Sequence, residues 1–202
     1  MIKSNFDIRY IDVKLGLFFS KLGITPNQWT FLALIPAVIG FLGLYFHNLT
    51  FGLVCFAISG VIDAIDGAVA RVTGGETNLG AYLDGVVDRY VEILLYLGLL
   101  IYGFPGMVLS SSAWIGLLIF GAVMTPYVKA YADHKGIIEP KDAEKMGGLC
   151  ERFERLMIIF IGMALGYFNI IYLTYSIILA AILANFTVFQ RILVTFKAYK
   201  RK

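Results

Sequence analysis

The chain has 202 residues, 59% of them hydrophobic, and its 17 Lys and Arg against 14 Asp and Glu give a formal charge of +3. So apolar a composition excludes a soluble globular domain and fits a protein that crosses a membrane several times. The two cysteines and two histidines exclude a disulfide framework and a histidine-based metal site.

Met1–Lys21 is charged and lacks a short apolar core followed by small residues, so no signal peptide is expected there. Within it, segment 5–21 sets Phe6, Ile8, Ile11, Leu15 and Phe18 against Asp7, Arg9, Asp12 and Lys14. That pattern predicts an N-terminal helix lying in the membrane interface, with residues 1–22 forming the interfacial segment. Six apolar stretches follow, at 28–46, 50–72, 79–102, 109–133, 153–168 and 170–195. Turn signals separate them at His47-Asn48, Gly74-Gly75, Gly103-Phe104-Pro105-Gly106 and Phe168-Asn169. The expected fold class is therefore all-α: a polytopic membrane protein with six transmembrane helices in a bundle over 23–202, the whole of 1–202 forming one domain. Residues 136–150 read as a polar loop. Cys55, in an apolar run, and Cys150, in a charged loop, read as free thiols.

The cations are distributed on one side. Lys3, Arg9, Lys14 and Lys21 precede the first span, Arg71 and Arg89 flank the second loop, six lie between Lys129 and Arg155, and five run from Arg191 to Lys202. The other three loops hold none. An even number of spans puts both termini on one side, and the excess of Lys and Arg makes that side cytoplasmic. The expectation is a multi-pass protein of the cell membrane with both termini and its site cytoplasmic. The basic tail Lys197–Lys202 reads as a membrane-surface anchor, and no nucleic-acid partner is expected.

Four aspartates break the apolar pattern. Asp63, Asp66, Gly67, Ala70 and Arg71 share one helix face by their spacing of three and four, and Gly80, Asp84 and Asp88 share a face on the next helix. A buried acid costs about 2.5–3.5 kcal/mol on insertion scales, so four together approach roughly 10 kcal/mol. A short connection makes the two helices antiparallel neighbours whose acidic faces can meet. Asp63 lies 13 residues into its stretch, about 20 Å along a helix, which places the group in the inner third of the bilayer. Gly67 and Ala70 leave room for a ligand. Hard oxygen ligands suit Mg²⁺, Mn²⁺ or Ca²⁺ rather than zinc. Four carboxylates could hold two such ions about 3.5–4 Å apart, an arrangement used in phosphoryl transfer. Arg71 adds a planar cation for a phosphate. The same acids could instead serve ion or proton transport, although transporters usually place them at the midplane with broken helices.

The run Asp63-x-x-Asp66-Gly67-x-x-Ala70-Arg71, eight residues, Gly80-x-x-x-Asp84-x-x-x-Asp88 resembles the defining motif of the CDP-alcohol phosphotransferases at every fixed position. Thr25-Pro26-Asn27-x-x-Thr30 resembles the start of that family's first span. The resemblance implies two divalent cations, Mg²⁺ or Mn²⁺, held by Asp63, Asp66, Asp84 and Asp88, with Asp88 also the catalytic base. It implies a CDP-lipid site at Asn27, Gln28, Gly67, Ala70, Arg71, Thr77 and Gly80. The reaction would be attack of an alcohol oxygen on the lipid-linked phosphorus with release of CMP, in a homodimer.

The acceptor is read from the cations outside the motif. Tyr127-Val-Lys129-Ala-Tyr-Ala-Asp133 and Glu151-Arg152-Phe-Glu-Arg155 resemble segments of the phosphatidylinositol phosphate and archaetidylinositol phosphate synthase branch. Tyr131 and Asp133 stand where that branch has Arg and Glu, and Phe153 where it has Pro. Arg152 and Arg155 share a helix face. With Lys129 they are expected to bind the phosphate of a water-soluble, phosphorylated polyol, inositol 1-phosphate first. Glycerol 3-phosphate and serine are the rival acceptors.

Overall fold

The computed structural model describes residues 8–139, 142 and 146–200, with side chains from residue 13 onward. The first seven residues of the expected interfacial segment, most of 140–145 in the expected polar loop, and Arg201 and Lys202 of the basic tail lie outside the described residues. All regular elements among the described residues are helices. They fall in two compact units, Met1–Gly98 and Leu99–Lys202.

The first unit contains α1 (Ile8–Ser20), α2 (Pro26–Leu32), α3 (Leu34–Tyr45), α4 (Leu49–Thr73) and most of α5 (Asn78–Tyr102). The expected interfacial segment is thus helical over Ile8–Ser20, and it packs on α4. A Cβ at Gly16 would collide with the Ala68 carbonyl and Val72, so the two helices touch backbone to backbone there. Phe19 meets Trp29 edge-on at 5.4 Å and joins a core of Trp29, Ile65 and Val69.

The first expected span is broken in two at Ala33. Pro36 cannot donate to the Leu32 carbonyl, and Ser59 Oγ donates to the Ala33 carbonyl at 2.7 Å. Both effects interrupt the ladder at the same turn. Thr25 caps α2 with Gln28, and Pro26 occupies its first turn. α4 starts on Asn48, whose side chain accepts from the Phe51 amide at 3.0 Å, and ends at Gly74 with φ +65°. Only a glycine takes that left-handed cap without strain.

The second unit contains α6 (Ser111–His134), α7 (Arg152–Gly166) and α8 (Ile171–Tyr199), with both α6 and α7 packed on α8. Gly162 lets α7 sit directly against Ser176 of α8. Cys55 and Cys150 are both buried and not joined in a disulfide.

Four helical stretches are long and apolar enough to cross a bilayer: Pro26–Tyr45, Leu49–Thr73, Ser111–His134 and Ile171–Tyr199. α5 has the length, but Asp84, Asp88, Arg89 and Glu92 load its first fifteen residues with charge. α7 has 15 residues, about 22 Å at 1.5 Å per residue, against a hydrocarbon core of about 30 Å. Ile35, Val38, Leu42, Val54, Ile58 and Val61 on α3 and α4 are exposed. An apolar surface of that extent fits a lipid environment.

Candidate functional site

The aspartate motif of the sequence becomes a cluster through helix periodicity. Asp63 and Asp66 on α4 and Asp84 on α5 bring one carboxylate oxygen each to within 4.8 Å of one another. Asp66 is buried; Asp63 and Asp84 are half-buried. Thr30 Oγ1 donates to Asp66 Oδ2 at 2.6 Å, tying the α2 end to the cluster. The donor set is all hard oxygen, which fits Mg²⁺ or Mn²⁺ and not a soft-metal site. Asp88 stands one turn further along α5, is 9% exposed, and is outside this three-carboxylate group.

Beside the carboxylates lies a cavity of about 320 Å³. Asp66 and Asp84 line it together with Asn27, Gly67, Ala70, Arg71, Thr77 and Gly80. Its shape follows from missing side chains. A Cβ at Gly67 would stand 3.2 Å from Arg71 Nη1, so the guanidinium lies over bare backbone. A Cβ at Gly80 would come within 3.1 Å of both Asn27 Oδ1 and Thr77 Oγ1. Thr77 Oγ1 also accepts from the Gly80 amide at 3.0 Å, which starts α5 at the cavity wall. The cavity therefore offers a cation, an amide side chain and a hydroxyl around exposed backbone, next to a cluster of carboxylates.

Gln28 is placed differently. Its Oε1 accepts from the Thr25 amide at 2.9 Å, and its side chain borders the adjoining apolar groove of Ile24, Phe31, Leu32 and Ile35.

In the second unit, Lys129 is half-buried near the end of α6, Arg152 is half-buried at the start of α7, and Arg155 is 1% exposed. The segment that presents the two arginines is tied to α8. Leu149 N donates to Gln190 Oε1 at 3.1 Å and Cys150 N to Thr187 Oγ1 at 2.9 Å. Arg191 Nη2 donates to Glu151 Oε1 at 3.1 Å, and Arg191 Nη1 donates to the Thr125 carbonyl at 2.6 Å. Sequence reasoning missed Arg191 as anything but tail charge. The available signal was its position inside the last apolar stretch rather than beyond it. Glu92 was missed as well, although it continues the spacing of Asp84 and Asp88 by another four residues.

A family model described as CDP-alcohol phosphatidyltransferase matches residues 23–194. The chain is 30% identical over 188 residues to the archaetidylinositol phosphate synthase of Pyrococcus horikoshii, covering 93% of this chain and 90% of that one. The fold matches the crystal structure of the Mycobacterium tuberculosis phosphatidylinositol phosphate synthase with CDP-DAG bound, with a TM-score of 0.76 and 26% identity, over 93% of this chain and 94% of that one. The same synthase in complex with manganese and citrate matches with a TM-score of 0.75 and 26% identity, over 92% and 88% of the two chains. With the Asp63–Asp88 motif folded into a carboxylate cluster beside a small-residue cavity, and with the match running through both units, the chain belongs to the CDP-alcohol phosphatidyltransferase family.

Proposed function

We propose that the protein moves a phosphatidyl or archaetidyl group from a CDP-lipid to a phosphorylated polyol, inositol 1-phosphate first, with release of CMP. The observation that carries this reading is the convergence of Asp63, Asp66 and Asp84 beside the cavity of Asn27, Gly67, Arg71 and Thr77. The names of the similar proteins support it: inositol phosphate lipid synthases, one of them seen with CDP-DAG and with manganese.

Asp63, Asp66, Asp84 and Asp88 hold two divalent cations, Mg²⁺ or Mn²⁺. When bound, these cations supply charge stabilisation to the diphosphate and to the departing CMP. Arg71, fixed over Gly67, gives the phosphates a further planar cation. Gly67, Ala70 and Gly80 let the nucleotide approach the backbone, and Asn27, Gln28 and Thr77 orient it. Asp88 takes the proton from the acceptor hydroxyl as that oxygen bonds to the lipid-linked phosphorus and the bond to CMP breaks. Lys129, Arg152 and Arg155 bind the acceptor's phosphate, and the tether from Glu151 to Arg191 keeps the start of α7 in place.

The same reading gives the architecture. All six long segments cross the bilayer, with the charges of α5 gathered at its site end and α7 as a short span. Both termini and the site face the cytoplasm, as the one-sided Lys and Arg support. α1 lies in the inner interface, residues 1–202 form one domain, and the protein works as a homodimer in the cell membrane.

An assay panel tests the proposal. Purified protein receives CDP-lipid, Mg²⁺ or Mn²⁺, and in turn inositol 1-phosphate, glycerol 3-phosphate, serine and free inositol. CMP release is expected with inositol 1-phosphate. Turnover with only serine or free inositol overturns the acceptor, and no CMP with any alcohol overturns the transferase in favour of an ion-coupled transporter.

A further inference from the structure

One buried acid has no part in the chemistry above. Glu92 is 2% exposed, one turn beyond Asp88 on the face of α5 that carries Asp84, Asp88, Glu92 and Tyr96. It is outside the carboxylate group and does not line the cavity. A carboxylate inside an apolar helix is costly, and this one has a polar side chain close to each oxygen. Tyr96, 1% exposed, donates its hydroxyl to Glu92 Oε1 at 3.0 Å. Arg89 Nη1 lies 3.2 Å from Glu92 Oε2, and Arg89 Nη2 lies 3.5 Å from Asp88 Oδ2.

The geometry points to Glu92 and Arg89 as positioning residues for Asp88. On an α-helix, residues one apart point in different directions and residues three or four apart face each other. The Arg89–Glu92 contact is the natural one; the Arg89–Asp88 contact is not. Arg89 reaches back to Asp88 because its other nitrogen is anchored on Glu92, and the planar guanidinium passes that constraint on. Tyr96 in turn fixes Glu92 from the deeper side. The chain Tyr96–Glu92–Arg89–Asp88 sets one oxygen of Asp88 in place before substrate arrives and leaves the carboxylate to its work in the site. Stability does not explain the arrangement. A buried ion pair adds little net stability, and apolar residues of similar volume serve as well or better. What an apolar pair could not do is hold the Asp88 carboxylate.

This inference rests on Asp88 being the base of the proposed reaction. The test is the double variant R89M/E92L, which removes both ends of the Arg89–Glu92 pair, compared with E92Q, which keeps an acceptor for Arg89 or Tyr96. CMP release, both KM values and the melting temperature are measured on the purified protein. In R89M/E92L, kcat falls by about tenfold or more, a fraction of what a general base supplies. Its CDP-lipid KM stays within about twofold, since binding is not the step affected. The melting temperature is held, and E92Q recovers most of the rate. A kcat of R89M/E92L equal to wild type overturns the inference. So does a loss of rate that comes with an equal rise in CDP-lipid KM and a fall in melting temperature, the mark of a merely structural pair. Wild-type protein that releases no CMP with any acceptor removes the transferase reading, and this inference with it.

Discussion

In the first unit three carboxylates, Asp63, Asp66 and Asp84, crowd within 4.8 Å of one another. In the second, the buried cation Arg191 is matched by Glu151 at 3.1 Å and by the Thr125 carbonyl at 2.6 Å. Like charges at such spacing raise one another's energy, and a divalent cation is the group that relieves them. Opposite charges at such spacing are satisfied by the protein itself. The comparison separates two uses of buried charge in one chain. The first unit's cluster is arranged for something that arrives; the second unit's pair is arranged to hold a segment of backbone, here Gly148–Arg152 at the mouth of α7.

The largest expected effect breaks that comparison at its stronger end. Asp84→Asn removes one of three converging charges with almost no change of shape. Losing a metal ligand exceeds the roughly 10–100-fold cost of losing a partner outside the ligand set, so CMP release should fall by more than about 100-fold. Manganese binding, followed by calorimetry, should be lost with it. Glu151→Gln is the matched change in the second unit. It should leave manganese binding intact and lower stability by about 0.5–1 kcal/mol, since Glu151 is about half exposed and Gln keeps an acceptor for Arg191. Equal loss of manganese binding in both variants would erase the distinction between the units.

The same contrast decides what the sequence could reveal. The aspartates were legible because a spacing of three, four and seven converts directly into one helix face, with no tertiary information needed. Segment boundaries were legible for a similar local reason: the stretch 50–72 is helical over Leu49–Thr73, and 79–102 over Asn78–Tyr102. The stretch read from 109 begins at Ser111 because Ser110 caps it, its Oγ accepting from the Ala113 amide at 3.2 Å. The break at Ala33 was half visible in Pro36, but the Ser59 hydroxyl that completes it comes from 26 residues away. Arg191 was harder still, since its partners lie 40 and 66 residues back. Gln28 shows a local signal that was readable and not read. Thr25-x-x-Gln28 is a readable capping box, and its side chain closes that box in the structure.

A smaller effect sharpens the reading of the second unit. Arg152 and Arg155 are proposed to bind the acceptor's phosphate, yet Lys and Arg gathered near the ends of membrane spans need no such role. Neutralising both to Gln should raise the acceptor KM by about tenfold or more, the loss of roughly one charge-assisted contact, while the CDP-lipid KM moves little. Parallel rises in the two KM values would leave these arginines a structural role alone.

The smallest effect concerns the seam between α2 and the carboxylates. Thr30 is 3% exposed, and its hydroxyl is bound to Asp66 Oδ2 at 2.6 Å and to the Pro26 carbonyl at 3.2 Å. The first bond orients one carboxylate of the cluster; the second only tightens a helical turn. Thr30→Val keeps the volume and removes both. If the hydroxyl serves the cluster, manganese affinity should drop by about tenfold, the lower end for a group that orients a ligand. Melting temperature should change little, because valine packs in the same space. If it serves the helix, the melting temperature should fall and manganese affinity should hold. The first result extends the first unit's logic one layer outward: a residue of α2, itself carrying no charge, is set there to aim a charge on α4.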